Sequence, residues 1–100
     1  ARRYQATLVV DDCHGVGVLG AHGQGVVEHF GALTTGGVDI ITGTLGKALG
    51  GGAGGYVAGP VAVIEMLKQA ARPHLFSNAI SPATAATSLA ALQVLADEPG

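Results

Sequence analysis

The sequence predicts an open α/β sheet with its chemistry gathered at the C-terminal ends of the strands. Two runs, residues 6–10 and 38–42, are β-prone, and the first is apolar apart from Thr7 and ends directly at Asp11. Such runs suit strands buried on both faces of a parallel sheet. Glycine-rich connections follow both runs. The second half of the chain carries two helical patterns, so the order reads strand, loop, strand, strand, helix, helix.

The elements follow in order. Residues 15–25 are glycine-rich and read as loop, and residues 24–30 as a short helix stopped by Gly31. Gly36-Gly37 breaks the chain again before the strand at 38–42, which delivers Thr44 and Lys47 just beyond its end. A second glycine cluster over 50–55 leads to a third strand at Tyr56-Val57-Ala58. Pro60 fits the first turn of a helix with Val61, Ile64, Met66, Leu67 and Ala70 on its apolar face, ending before Arg72-Pro73. Residues 74–80 read as extended or turn. Ser81 is an N-cap with Pro82 at the first helical position, and the last helix runs to about Ala96 with Leu89, Leu92, Val94 and Leu95 on its buried side.

Hydrophobic residues make up 48% of the 100-residue chain and charged residues only 12%, against about a quarter in an ordinary globular domain. The expectation is a piece of a larger α/β domain, buried in part against other polypeptide. A net charge of −2 with no basic patch argues against nucleic acid. No apolar run approaches the roughly 18 residues that span a bilayer, so no membrane partner is expected. The single cysteine excludes an internal disulfide and fits a reducing compartment.

Several motifs fail on inspection. Gly15 to Gly20 matches G-x-G-x-x-G, but a dinucleotide site needs a helix opening within it, and Ala21-His22-Gly23-Gln24-Gly25 follows instead. A Walker A loop needs Gly six positions before Lys47 and Ser or Thr after it, where Ile41 and Ala48 stand. Asp11, Asp12, Cys13 and His14 are adjacent on an extended chain and cannot converge on one ion, so no metal is expected. His22, His29 and His74 read as surface or packing residues.

What remains is a carboxylate and an amine at neighbouring strand ends. Taken singly, Asp11 could simply cap loop amides and Lys47 could be a solvated lysine. Together, with Thr44 and His14 nearby, they form a functional-site pattern. A carbonyl cofactor of the pyridoxal-phosphate kind suits these residue types. An amine can form a Schiff base with it and later act as a base, and a carboxylate can keep its ring nitrogen protonated.

Asp11-Asp12-Cys13-His14-Gly15-Val16-Gly17-Val18-Leu19-Gly20 resembles the D-[DE]-x-H-x-x-G-x-x-G segment of the α-oxoamine synthases. Thr44-Leu45-Gly46-Lys47-Ala48-Leu49-Gly50 resembles their Schiff-base lysine segment, and the likeness runs over nearly the whole chain. Residues 1–100 would then be part of the pyridoxal-phosphate-binding large domain of a fold-type I transferase, a mostly parallel sheet with flanking helices. The N-terminal part and the small C-terminal domain would lie outside it. The resemblance implies that Lys47 holds pyridoxal 5′-phosphate, Asp11 pairs with its ring nitrogen, His14 bonds its phenolic oxygen and Thr44 contacts its phosphate. It implies that Ser77 and Asn78 reach the cofactor of a partner subunit, making a homodimer with a shared active site. Cys13, where Ser or Ala is common, would pack beside the cofactor without being a nucleophile.

Residues 39–51, Gly54-Gly55-Tyr56 and residues 72–78 point within the family to the branch that condenses glycine with acetyl-CoA, reversibly and in threonine breakdown. Another synthase of the family, such as that of the biotin pathway, is the alternative. A non-catalytic nucleotide-binding module is the reading outside it. The cytoplasm is the expected compartment, or the mitochondrial matrix in a eukaryote.

Overall fold

The computed structural model describes residues 1–98. After a 3-10 turn at Arg2–Tyr4, the elements are β1 (Val9–Asp11), α1 (Val26–His29), α2 (Ala32–Thr35), β2 (Ile40–Thr44), β3 (Gly55–Ala58), α3 (Val61–Ala70), α4 (Arg72–Phe76) and α5 (Pro82–Asp97). The sheet has the order β1-β2-β3. β1 pairs parallel with β2, matching Asp11 to Thr42, and β2 pairs antiparallel with β3, matching Gly43 to Tyr56. The sheet is therefore mixed. The connection over residues 45–54 holds no helix to carry the chain back for a parallel return.

Both leading strands sit later in the chain than their apolarity suggests. β1 begins at Val9 because Leu8 is already engaged with Asp39: its N–H donates to Asp39 Oδ2 at 2.8 Å, and its carbonyl accepts from Asp39 N–H at 3.0 Å. β2 extends through Thr44 because Gly43 and Thr44 still find ladder partners in Tyr56 and Gly55. Backbone pairing sets these limits.

The helical half departs further. Residues 72–76 form α4, where an extended or turn segment is expected from residue 74. Arg72-Pro73 ends α3 as read, but proline near a helix N-terminus also starts the next one. Ser81 caps α5 as read, its hydroxyl accepting from Thr84 N–H at 3.1 Å. Of the expected buried side of α5, Leu95 is partly covered as read, while within this chain Leu89 is 68% exposed, with Leu92 and Val94 also exposed. The side turned inward carries Thr84, Ser88, Ala91 and Leu95, spaced 4, 3 and 4 residues apart as one helical face requires. Val61 and Met66 of α3 are likewise exposed, and Val63, Ile64 and Leu67 are the more covered residues.

Among the described residues the buried hydrophobic ones are Val16, Val27 and Leu49. All three flank the loops after β1 and β2. The small core thus lies under the candidate site, and much of the helical surface is left apolar and exposed.

Candidate active site

Alternation along β1 separates the two aspartates. Asp11 and its register partner Thr42 share one sheet face, and Gly43 and Tyr56 point to the other. Asp11 is exposed at the strand end and Asp12 is 2% exposed. Asp11 Oδ1 accepts from Cys13 N–H at 3.2 Å. Hydrogen bonds from Cys13, the thiol first and then the backbone, hold the Asp11 carboxyl below the usual carboxylate range, with smaller pulls from Thr42 and Lys47. The same contact, chiefly the bond to Asp11, pushes the Cys13 thiol up. Cys13 is therefore a protonated hydrogen-bond donor, a poor nucleophile. Thr42 has no part in the sequence reading of the site. The alternation that pairs it with Asp11 is the signal that could have found it.

Lys47 stands exposed on the loop after β2, and its Nζ lies 3.1 Å from His14 Nε2. The loop is closed by Leu45 N–H to Gly54 O at 3.0 Å, Gly51 N–H to Leu45 O at 2.7 Å and Gly50 N–H to Lys47 O at 2.9 Å. Gly50 takes a φ of 69° there, a left-handed conformation that costs glycine little. Thr44 belongs to this closure, donating its hydroxyl to Gly54 O at 3.1 Å and accepting from Gly46 N–H at 3.2 Å. A phosphate oxygen at Thr44 would compete with Gly54 for the single hydroxyl proton.

The loop docks on α5. Thr87 Oγ1 lies 3.2 Å from Gly51 O, an acceptor that shares its one proton with the helix carbonyls of Ala83 and Thr84 at 3.1 and 3.0 Å, and a Cβ at Gly51 would run into Ser88 Oγ and come within 2.8 Å of Leu45 O. Gly51→Ala is expected to cost about 1–3 kcal/mol, read as a lower denaturant midpoint at unchanged slope. A midpoint within error of the parent would contradict this packing.

The loop after β1 is held separately. Glu28 accepts from Gln24 N–H at 3.0 Å and from His22 N–H at 3.1 Å, and its Oε1 lies 2.6 Å from His22 Nδ1. These bonds, led by the one from the His22 ring, hold the Glu28 carboxyl below its ordinary range. His22 is thus a loop staple, while the His29 ring meets Phe30 edge-on at 4.9 Å.

The structure brings Asp11, His14 and Lys47 together, with Thr44 beneath the lysine loop. Ser77 and Asn78 are exposed just beyond α4. A cleft of about 620 Å³ lies between β3, α3 and α4 and is lined by Tyr56, Ile64, Leu67 and Pro73. None of Asp11, His14 or Lys47 lines it. Among the described residues no group of three or more His, Cys, Asp or Glu is placed to hold a metal ion.

The Aminotransferase class I and II family matches this chain over residues 1–98. The chain is 54% identical over 95 residues to an 8-amino-7-oxononanoate synthase of Thermosipho melanesiensis, covering 95% of this chain and 24% of the relative. It is 50% identical over 95 residues to the 2-amino-3-ketobutyrate coenzyme A ligase of Escherichia coli, covering 95% of this chain and 23% of the relative. Among solved structures, serine palmitoyltransferase of Sphingomonas wittichii matches with a TM-score of 0.83 at 32% identity, over 95% of this chain and 23% of that one. The chain thus spans about a quarter of the length of the relatives it matches.

This fold, with an amine and a carboxylate at adjacent strand ends, defines a fold-type I enzyme frame of the pyridoxal-phosphate-dependent class. The chain belongs to the Aminotransferase class I and II family. Among the described residues no helix is long and apolar enough to cross a membrane.

Proposed function

We propose that Lys47 holds pyridoxal 5′-phosphate and that the whole protein condenses glycine with acetyl-CoA, giving 2-amino-3-ketobutyrate and CoA. The observation that carries the cofactor reading is the Lys47 amine, 3.1 Å from His14 at the strand end next to an exposed Asp11. The donor set fits the group: an accessible amine for its aldehyde, a carboxyl held anionic for its ring nitrogen, and an imidazole for its phenolic oxygen.

When bound, the cofactor supplies an electron sink for the charge left by removing an α-proton. Lys47 Nζ would hold the cofactor and would serve as the base for that proton. Asp11 Oδ keeps the proton on the ring nitrogen in place. His14 orients the ring through its imidazole, and Thr44 meets the phosphate by giving up its bond to Gly54. Ser77 and Asn78 serve the cofactor of a partner subunit, so the working protein is a homodimer. The reaction is reversible and belongs to threonine breakdown, in the cytoplasm, or in the mitochondrial matrix of a eukaryote. A human relative, 46% identical over 95 residues, carries "mitochondrial" in its name.

The relative at 54% identity favours a second reading, 8-amino-7-oxononanoate synthase. Borohydride reduction of the full-length holoenzyme followed by peptide mapping tests the cofactor site, and the label is expected on Lys47. Assay of acetyl-CoA against longer thioesters then chooses between the readings. Turnover of only a pimeloyl or longer thioester would overturn the acetyltransferase.

A further inference from the structure

Asp12 sits between two site residues and is absent from every role assigned above. We propose that Asp12 is a positioning residue whose buried carboxylate pins the loop after β1 so that His14 meets Lys47. The inference rests on the cofactor reading for its functional meaning, though its geometry does not.

Three elements meet at this residue. Its N–H donates to Thr42 O of β2 at 2.8 Å, its carbonyl accepts from Val16 N–H at 3.2 Å, and its Oδ2 accepts from Val26 N–H at 2.7 Å. The last bond satisfies an amide that the start of α1 would otherwise leave open. Two glycines close over the carboxylate: a Cβ at Gly15 would collide with Oδ1, and one at Gly25 with Oδ2. Asp12 is 2% exposed, and its Oδ1 is buried with no hydrogen-bond partner among the described residues. A buried acceptor left without a donor costs stability, which the bond from Val26 N–H to Oδ2 offsets.

The loop it holds is the one that packs on the lysine loop. A Cβ at Gly17 would stand 3.3 Å from Ala48 Cβ and 3.2 Å from Leu49 Cδ2, and Val16 and Leu49 are both buried. A shift at Asp12 therefore moves His14, two residues on, against a lysine loop that α5 fixes from the other side. Displacement of the order of 1 Å at a reacting group is enough to cost about two orders of magnitude.

The test uses the full-length dimer, with ¹⁵N imidazole resonances of His14, the dissociation constant for pyridoxal phosphate and the split between kcat and KM. Asp12→Ala is expected to shift the His14 resonances and weaken cofactor binding about tenfold. Asp12→Asn, which keeps the shape and the acceptor for Val26, is expected to retain parental behaviour. Val26→Pro removes the donor at a position where proline fits a helix and should reproduce the alanine phenotype, which keeps the test decisive if Asp12→Ala does not fold. Gly15→Ala should act like Asp12→Ala in the parent and add nothing in the Asp12→Ala background, because both changes contest one space. If these variants lower only the melting temperature and leave His14 and the cofactor affinity as in the parent, the proposal fails. Absence of borohydride label on Lys47 of the parent would sink the cofactor reading alone, and the His14 resonances would still decide the role of Asp12.

Discussion

Lys47→Ala is expected to abolish borohydride-dependent labelling and to lower turnover of glycine and acetyl-CoA by about a thousandfold or more, since one amine serves as both cofactor anchor and base. The fold should not notice. Lys47 is exposed, its side chain bonds to His14, and the loop around it is closed by backbone bonds and Thr44. Its melting curve should stay within about 0.5 kcal/mol of the parent, as for an ordinary surface substitution. Lys47→Arg keeps a charge beside His14 but cannot give up a proton near neutral pH, so it should be as inactive as alanine. A variant that lost activity only in step with its stability would remove Lys47 from the chemistry. One that kept its label would move the anchor to another residue.

Lys47 was legible because chemistry and position coincide: an amine among glycines just past a β-prone run. Asp11 was legible for the same reason, and Ser81 because the rule for N-caps is local. What the sequence hid depends on pairing. Nothing in residues 38–42 announces that Gly43 and Thr44 continue the strand, because their partners, Tyr56 and Gly55, lie beyond a loop. Asp11 and Asp12 are chemically alike, and only the pleat decides which faces the site and which is buried. Leu89, Leu92 and Val94 belong by hydropathy to a core, yet α5 turns Thr84, Ser88, Ala91 and Leu95 inward. The reason is steric. Gly51 comes up against α5 at Ser88, and a close approach of loop backbone there favours a small side chain over a leucine.

Asp11→Asn separates charge from shape at the other strand end. The amide can still accept from Cys13 N–H, so the turn after β1 should survive, but the partner of the cofactor's ring nitrogen becomes neutral. Turnover is expected to fall about a hundredfold, within the span of a single well-placed electrostatic group, with cofactor still bound and label still on Lys47. The pH dependence follows from the sign of the shift. The folded Asp11 carboxyl lies below its ordinary 3.8, so its stabilising contribution is present above that pH and is lost as pH falls through the folded value. Titration of Asp11 therefore cannot produce a fall in activity between pH 5 and 8. A second readout needs no cofactor. The bond to Asp11 is the main cause of the raised Cys13 thiol. Losing the anion should bring that thiol back toward its ordinary range and speed its alkylation at mildly alkaline pH. Unchanged Cys13 reactivity in Asp11→Asn would mean that Asp11 does not govern its neighbour. Unchanged turnover would mean that its carboxylate serves the loop and not the cofactor.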